Sequence, residues 1–531
     1  MTTTGTHSEA GISPPVDLWS RLRHVGPGVI IAGSIVGSGE LIATTKTGAE
    51  AGFVLLWLIL LGCVIKVFAQ IELGRYAIVS GKTTLAALEE VPGPRVRGRG
   101  NWLVWYWCAV WLTLIGQLGG IVGGVGQSLA QAAPLTEQGR AYNRVADAMV
   151  RLQVAQAARA ESLSANDTEA DDLWQEQLAA VDRLKEDYRA RFGVIRSAAD
   201  PSGLLPPLDA KGWAVIVTLV TSVLLVVGRY GLVEWVTMIL VGLFTLMTVA
   251  NLALMQQQPA WRISGDDLLS GLMFRLPEAQ IGISPLVTAL ATFGIIGVGG
   301  TELVFYPYWC LEKGYARWTG RNDGSPGWIE RARGWLQVMR LDATLALLLY
   351  TASTVAFYLL GAAVLNRTGL NPSRGEMVRS LTAMYQPVFD DWATTLLLIG
   401  AFAVLYSTFF VANASHARVA VDLMKVLGLL GDSSSGSRRW LIIFSGCLPL
   451  LALTIYLLFP DPVALVLLSG VAQGIMLPML ASAALWFRYQ RTPAGLEPSR
   501  LWDAMLWLSA AGLLLTGVWT AYEQLSNTFA S

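Results

Sequence analysis

Apolar runs of about 20 residues recur along the whole chain and limit its possible folds more than any other feature. A helix of that length crosses the ~30 Å hydrocarbon core of a bilayer. The composition agrees, because 53% of the 531 residues are hydrophobic and only 14% are charged. We therefore expect an all-α, polytopic membrane protein whose main partner is the lipid bilayer. The runs predict eleven spans, near residues 27–48, 53–79, 102–130, 212–228, 231–255, 284–311, 341–365, 392–415, 440–459, 462–487 and 502–522.

The charges between the spans predict the orientation. Most lysines and arginines fall on one side of the membrane if the N-terminus is cytoplasmic, as the positive-inside rule requires. Residues 1–20 lack the pattern of a cleaved signal peptide, so the first span should target the chain to the inner (plasma) membrane. The predicted parts are a cytoplasmic tail (1–25), spans 1–3 (26–130), an extracytoplasmic insertion (131–211), spans 4–11 (212–523) and a C-terminal tail (524–531).

The insertion at 131–211 is the only long polar segment. Apolar residues recur at helical spacing in its stretches 145–155 and 174–192, and Ser164–Thr168 has the composition of a turn followed by a helix cap. This pattern predicts an antiparallel helical hairpin on the outer face. A structural lid or an oligomer contact is the favoured role, and binding of a partner is the alternative.

Two similar motifs interrupt apolar spans. Val36-Gly-Ser-Gly-Glu-Leu41 lies in span 1 and Val298-Gly-Gly-Thr-Glu-Leu303 in span 6. Each glycine weakens a helix by roughly 1 kcal/mol, and unpaired backbone within a membrane is tolerated only where it is buried in protein or lines a cavity. Matching interruptions in two halves indicate a transporter built on inverted repeats, here spans 1–5 and 6–10, with span 11 added.

These motifs lie within a wider likeness. Gly26-Pro-Gly28, Ile78-Val-Ser-Gly-Lys82, Gly294-Ile-Ile-Gly297, Arg340-Leu-Asp342 and Leu477-Pro478 give most of the membrane part a sequence that resembles the Nramp family of proton-coupled divalent-metal transporters. The resemblance implies a LeuT-like fold with spans 1 and 6 unwound, symport with protons and metal-ion transport. It does not extend to the insertion at 131–211.

The metal-binding motifs of that family are altered in this chain. Gly37-Ser-Gly-Glu40 stands where the family has Asp-Pro-Gly-Asn, and Thr301-Glu-Leu303 stands where it has Met-Pro-His. Losing a soft sulfur ligand and gaining carboxylates shifts the preference toward hard ions such as Mg²⁺, Ca²⁺ or Mn²⁺. A different class of substrate is the other consequence left open.

Glu40 and Glu302 are the predicted metal ligands, because a carboxylate within a span is costly and is usually functional. The structural alternative is that each begins a resumed helix, with Ser38 or Thr301 as its cap. Gln473 is expected to assist the two glutamates in binding the cation. The predicted substrate-binding residues are Gly37, Ser38, Gly39, Glu40, Gly299, Gly300, Thr301, Glu302 and Gln473.

Lys66 lies about midway along span 2, where the resembling pattern has an apolar residue. It is the predicted counter-charge of Glu40 or Glu302, and a fixed ammonium there could replace a coupling cation and favour an organic solute. The alternative is that it reaches the membrane surface or forms a structural pair. Glu72, Arg75 and Asp342, near span ends, are expected to form interfacial ion pairs.

Several functions are disfavoured. No nucleophile–base pair, phosphate loop or cofactor motif is visible, so neither an enzyme nor a resident cofactor is expected. A formal net charge of zero gives no reason to expect nucleic acid as a partner. The four cysteines are interpreted as small hydrophobic residues, and with only three histidines a histidine proton relay is not expected.

The first hypothesis is therefore a secondary transporter for a divalent cation. The alternatives are a carrier for a small organic solute and a membrane sensor that binds without transport. The sequence leaves the substrate, the coupling ion and the oligomeric state open.

Overall fold

A computed structural model describes residues 11–28, 30, 33, 36–96, 99–162, 168–194, 204–228, 231–278, 284–390, 392–431 and 433–530. Within these residues nine helices are long and apolar enough to cross a membrane, and a tenth span results if two helices bent by 111° around residues 256–258 count as one. These ten correspond to predicted spans 2–11. Span 1 fails the criterion because residues 29, 31, 32, 34 and 35 lie outside the described chain and its remaining helices are short.

The elements of the first half lead from the N-terminal segment through the insertion to span 5. They are α1 (Leu18–His24), a π-helical turn (Gly39–Thr44), α2 (Thr45–Ala51), α3 (Leu56–Val64), α4 (Lys66–Ser80), α5 (Thr84–Leu88), β1 (Arg95–Val96), β2 (Arg99–Asn101), α6 (Trp102–Ala132), α7 (Glu137–Ser162), α8 (Thr168–Phe192), α9 (Asp209–Val227) and α10 (Gly231–Met255). The two strands form a small antiparallel pair.

The second half contains spans 6 to 11 and their connections. Its elements are a 3₁₀ turn (Pro259–Trp261), α11 (Gly265–Leu272), α12 (Pro285–Ile295), α13 (Gly300–Lys313), α14 (Tyr315–Thr319), α15 (Pro326–Leu360), a second π-helical turn (Gly361–Asn366), a second 3₁₀ turn (Arg374–Glu376), α16 (Met377–Thr382), α17 (Gln386–Phe389), α18 (Trp392–Val426), α19 (Ser434–Leu458), α20 (Pro462–Gln490) and α21 (Arg500–Ala530).

Helix α6 packs closely against its neighbours because glycines line it. A Cβ atom at Gly120 would lie 2.6 Å from the Pro462 carbonyl oxygen of α20, and one at Gly126 would lie 2.3 Å from the Ala210 carbonyl oxygen of α9. Small residues allow this approach between helices in a membrane, where packing rather than hydrophobic burial drives association. Span 3 is thereby held at the centre of the helix bundle.

The insertion forms two helices, α7 and α8, which share a small core of their own that includes Tyr142, Val145 and Tyr188. Arg379 of α16 fastens this hairpin to the membrane part, since its guanidinium contacts Asp147, the Asn143 side-chain oxygen and Glu376. The predicted turn at 164–168 lies outside the described residues except for Thr168. The position of the whole hairpin outside the membrane remains a prediction.

Candidate functional site

The interruption of span 6 lies between α12 and α13. Helix α12 ends at Ile295, Gly297 has a φ of +58°, and α13 begins at Gly300. Only glycine adopts such a φ without strain, and a Cβ at Gly297 would also approach the Cys63 Cα to 3.0 Å. The predicted break in span 6 is confirmed.

Span 1 is interrupted differently. A turn at Val36–Gly37 precedes Ser38, and the chain then continues as the π-helical turn from Gly39. Gly37 and Gly299 therefore lie in non-helical backbone, whereas Gly39 and Gly300 are the first residues of resumed helices. The two glutamates consequently occupy equivalent positions, each in the first turn after its interruption.

Glu40 is fully buried, and both of its carboxylate oxygens have a partner. One oxygen accepts a hydrogen bond from the Gly37 N–H at 3.3 Å, and the other accepts one from the Thr354 hydroxyl of α15 at 3.1 Å. The first contact joins Glu40 to the backbone just before the resumed helix. The second contact ties span 1 to span 7.

Glu302 differs from Glu40 because its side chain is partly exposed. Within the described residues its carboxylate makes no hydrogen bond or ion pair with another residue. It faces the interruption, since a Cβ at Gly299 would lie 2.6 Å from its Oε2 atom. Glu302 therefore presents a carboxyl group without a close partner in the described chain beside the break of span 6.

The predicted caps Ser38 and Thr301 do not act as caps. Neither resumed helix has a side-chain cap from the residue before it, and the buried Thr301 hydroxyl has no hydrogen-bond partner among the described residues. Instead, the Gln473 side-chain oxygen of α20 accepts a hydrogen bond from the Thr301 N–H at 2.9 Å. The start of α13 is thus capped by a residue from span 10.

Gln473 also belongs to a polar network between spans 1, 3, 6 and 10. Its Nε2 atom donates to Gln117 Oε1 at 2.9 Å and to the Ser469 hydroxyl oxygen at 3.1 Å. Ser469 donates to the same Gln117 oxygen at 2.8 Å, and Gln117 Nε2 approaches Ser38 Oγ at 3.4 Å. The network places Gln473 and Ser38 at one wall of the site, beside the glutamate motifs.

Lys66 is fully buried at the start of α4. Its ammonium donates to the backbone carbonyls of Phe293 and Ile296, the latter at 2.8 Å, and lies 4.7 Å from the centre of the Phe293 ring. Within the described residues it forms no close ion pair with either glutamate, although it lies within range of both charges. Charge pairing with Glu40 or Glu302 therefore remains a longer-range prediction, and Lys66 does not reach the surface of the protein.

Sequence reasoning missed two residues of the site. Thr354 looks like an ordinary polar residue of an apolar helix, and nothing in its neighbourhood indicates a bond to Glu40. Cys63, interpreted as a small hydrophobic residue, lies within interaction range of both Glu40 and Thr354. Its spacing of three residues from Lys66 was the available signal, because such residues share a helix face.

The groups expected at the membrane interface are buried instead. Arg75 and Glu72 form an ion pair at 2.7 Å, and both are fully buried, with the Trp502 indole N–H donating to the second Glu72 oxygen. Asp342 forms no ion pair among the described residues. It accepts hydrogen bonds from the N–H groups of Gly26 and Gly28, and thus anchors the chain before span 1 to span 7.

No group of three or more histidine, cysteine, aspartate or glutamate side chains is placed to hold a metal ion in the part of the chain that the structure describes. An ion between Glu40 and Glu302 would therefore need hydroxyl, amide, backbone or water oxygens to complete its shell. His416, one of the three histidines, is buried against Trp111, whose indole N–H donates to its ring at 2.8 Å.

The chain was compared with known families and structures. A family profile described as natural resistance-associated macrophage protein-like (Nramp) matches residues 198–523, which is more than half of the chain. Comparison with curated protein sequences gives no match.

Among solved structures, the manganese transporter of Eremococcus coleocola in complex with an aromatic bis-isothiourea substituted compound matches with a TM-score of 0.57 at 15% identity, covering 100% of this chain and 92% of that chain. A glutamate-to-glutamine mutant of the same transporter matches with a TM-score of 0.57 at 14% identity, over 98% and 91% of the two chains. Mhp1, a nucleobase-cation-symport-1 family transporter, matches with a TM-score of 0.41 at 13% identity, over 94% and 93%.

The broken span 6, the paired glutamates and the shared architecture define a polytopic membrane transporter with a LeuT-like fold. The chain belongs to the Nramp family. The predicted fold class and the family resemblance are thereby confirmed.

Proposed function

We propose that the protein carries a divalent cation across the inner membrane, and that Glu40 and Glu302 supply carboxylate oxygens to it. The observation that supports this most directly is the unpartnered carboxylate of Glu302 within a span. A charged residue at the centre of a bilayer costs about 2.5–3.5 kcal/mol on insertion scales. A cation that binds between the glutamates offsets this cost, because it neutralises charge that the described residues around Glu302 leave without a close partner.

The surrounding groups favour a hard ion. The Thr354 hydroxyl contacts Glu40, the Gln473 side-chain oxygen caps the helix that carries Glu302, and Thr301 has a buried hydroxyl without a partner among the described residues. Mg²⁺ is commonly held by one or two carboxylates while it keeps several waters. Two glutamates without a third acidic, histidine or cysteine ligand in the described chain fit that mode of binding, so we expect Mg²⁺ and Mn²⁺ to be preferred, with Ca²⁺ next.

Proton coupling is part of the proposal. The family resemblance implies it, and neither histidine of the described chain, His24 or His416, contacts the glutamates to carry the proton. Glu302 is the candidate carrier, since its carboxylate is accessible and is free to exchange a proton for the cation. An inwardly directed proton gradient should therefore accelerate cation uptake.

Uptake into proteoliposomes tests the function. The parent protein should take up Mg²⁺, Ca²⁺ or Mn²⁺ saturably, faster with a pH gradient than without one. Glu302→Gln should lose most of this uptake. Glu312→Gln is the matched control, because Glu312 lies on the same helix but is exposed and pairs with Arg418.

A panel of amino acids in the same assay separates the alternative function. Saturable uptake of an amino acid, unaffected by a metal chelator and without any uptake of divalent ions, would replace the proposal by a carrier for organic solutes. Binding of either ligand by vesicles that accumulate neither would indicate a sensor.

A further inference from the structure

The backbone carbonyls at the end of α12 form a position suited to a cation. Helix α12 ends at Ile295, and the left-handed Gly297 directs the chain away from the helix axis. Among the described residues the carbonyls of Phe293 and Ile296 therefore have no helical N–H partner, whereas that of Thr292 still accepts the Ile296 N–H at 2.9 Å. The end of the helix carries the negative end of its dipole. In transporters with interrupted helices such carbonyls coordinate the coupling cation.

In this chain the position is already occupied by a side chain. The Lys66 ammonium donates to the Phe293 and Ile296 carbonyls and lies over the Phe293 ring, an arrangement that aromatic faces and carbonyls both offer to cations. Lys66 is fully buried, so water does not compete for these contacts. From this geometry we infer that Lys66 is a tethered cation that permanently fills the place of a monovalent coupling ion, so that transport needs no Na⁺ or K⁺.

The backbone around Lys66 is built to hold it there. Span 2 passes through Ile65 with helical dihedral angles (φ −69°, ψ −29°), and Lys66 is the next residue. The Ser509 hydroxyl of α21 donates to the Ile65 carbonyl at 2.5 Å. Span 11, which lies outside the two repeats, thereby fixes the point from which the lysine side chain reaches span 6.

This role concerns the same cavity as the proposed function, but it does not depend on the identity of the substrate. A fixed ammonium also balances one of the two glutamate charges at longer range. The site then keeps a single net negative charge when both glutamates are ionised, which a divalent ion converts to a single positive one.

The parent protein gives the first test. Its midpoint of thermal unfolding in detergent should not shift when Na⁺ or K⁺ replaces N-methyl-D-glucamine at constant ionic strength and in the absence of divalent ions. A saturable stabilisation of the parent by either metal ion would show that the position is open, and would overturn the inference. Because no substrate is present, this result is independent of whether the protein transports divalent cations.

The second test removes the ammonium. Lys66→Ala should be destabilised in N-methyl-D-glucamine and should be stabilised saturably by Na⁺, K⁺ or methylammonium, which can enter the vacated position. Substrate uptake by this variant should fall by about tenfold without these ions, as expected when buried carbonyls lose their donor, and should recover when they are added.

Lys313→Ala is the matched control, because Lys313 is partly exposed, contacts the Val25 carbonyl at 3.5 Å and interacts with Asp342 only at longer range. It should behave like the parent. A folded Lys66→Ala protein whose stability and uptake equal those of the parent in every salt would contradict the inference. Lys66→Met, which keeps the volume of the side chain, provides the same comparison if the alanine variant does not fold. The titration of the parent protein with Na⁺ or K⁺ tests the inference even if neither variant folds.

Discussion

At the scale of single residues, the two glutamates of the repeated motif are not equivalent. Glu40 is buried and hydrogen bonded through both oxygens, whereas Glu302 is partly exposed and unpartnered in the described chain. The motif alone suggested two interchangeable ligands. The difference arises because Thr354 of span 7 reaches Glu40, and no residue of the described chain has this role for Glu302.

The difference predicts that replacing glutamate by glutamine affects stability at position 40 and ion binding at position 302. Glu40→Gln should lower the free energy of unfolding by about 1–3 kcal/mol, since an amide cannot accept both hydrogen bonds. Glu302→Gln should leave stability within about 0.5 kcal/mol of the parent and weaken divalent-ion binding by about tenfold or more. Thermal unfolding and calorimetric titration of Mg²⁺ and Mn²⁺ measure the two effects.

Glu312→Gln is the control for both measurements. Unchanged ion binding in both variants of the motif would leave helix capping as the full account of Glu40 and would remove Glu302 from the substrate site. Loss of stability in Glu302→Gln would show instead that its carboxylate has a structural partner.

The sequence predicted much of this site and missed the rest for a definable reason. Glu40, Glu302 and Lys66 were recognisable because a charge in an apolar span is unusual, and Gln473 because it is polar there. Thr354, Ser469 and Cys63 carry no such signal, since hydroxyl and thiol groups are common in membrane helices and bond to their own backbone. Their roles depend on contacts between spans, which spacing along one helix does not reveal.

At the scale of helices, α12 and α20 approach each other through glycines. A Cβ at Gly294 would lie 2.0 Å from the Gly470 carbonyl oxygen, and one at Gly470 would lie 2.3 Å from the Ala291 carbonyl oxygen. These are contacts with backbone, which cannot move aside as a flexible side chain can. The contact fixes the first half of span 6 against span 10, and so sets the position of the interruption and of Gln473.

Gly294→Ala should therefore destabilise the protein by about 1–3 kcal/mol through overpacking. Gly242→Ala of span 5 is the control, because nothing lies within 4 Å of its Cβ position and alanine favours the helix by about 0.5–1 kcal/mol. Midpoints of thermal unfolding should move in opposite directions for the two variants. An unchanged or raised midpoint for Gly294→Ala would show that α12 and α20 can separate without cost.

The hairpin offers a second test at this scale. Arg379 is almost fully buried, whereas its acidic partners Asp147 and Glu376 are 35% and 42% exposed, so loss of the guanidinium should cost less than the about 3–5 kcal/mol of a fully buried pair. Arg379→Ala should loosen the hairpin from the membrane part and speed amide hydrogen exchange in α7. Arg191→Ala, which removes an exposed pair with Glu137, should leave exchange nearly unchanged. Equal protection of α7 in both variants would show that the hairpin is held by other contacts.

At the scale of the whole molecule, the predicted spans and their order correspond to the helices, because membrane thickness and backbone hydrogen bonding leave few other solutions. The contact of the Ser509 hydroxyl with the Ile65 carbonyl could not be predicted, since it joins span 11 to span 2 across the bundle. Predicted span 5 ends at the bend, but the short helix α11 that follows at 111° was not predicted, because eight residues are too few to be recognised as a span.

The orientation of the whole chain can be tested by cysteine labelling. Gln153→Cys in the exposed part of α7 should react with a membrane-impermeant maleimide in intact cells, and Asn322→Cys, between α14 and α15, should react only after the membrane is opened. The positive-inside rule supplies the reason. The opposite pattern would reverse the assigned topology, and the parent chain gives the background from its own cysteines.

The π-helical turn from Gly39 to Thr44 has a consequence for how the chain can change in length. A π turn holds one residue more than the α-helical turn it replaces, and one residue corresponds to a rotation of about 100° around a helix axis. Glu40 lies inside this turn, whereas Glu302 lies in an ordinary α-helix. Losing one residue downstream of Glu40, within 41–44, would restore regular α-helix there and swing the carboxylate away from Thr354. The direction of the Glu40 carboxylate thus depends on the one extra residue of the π turn. The number of residues in this turn therefore matters as much as the identity of the glutamate.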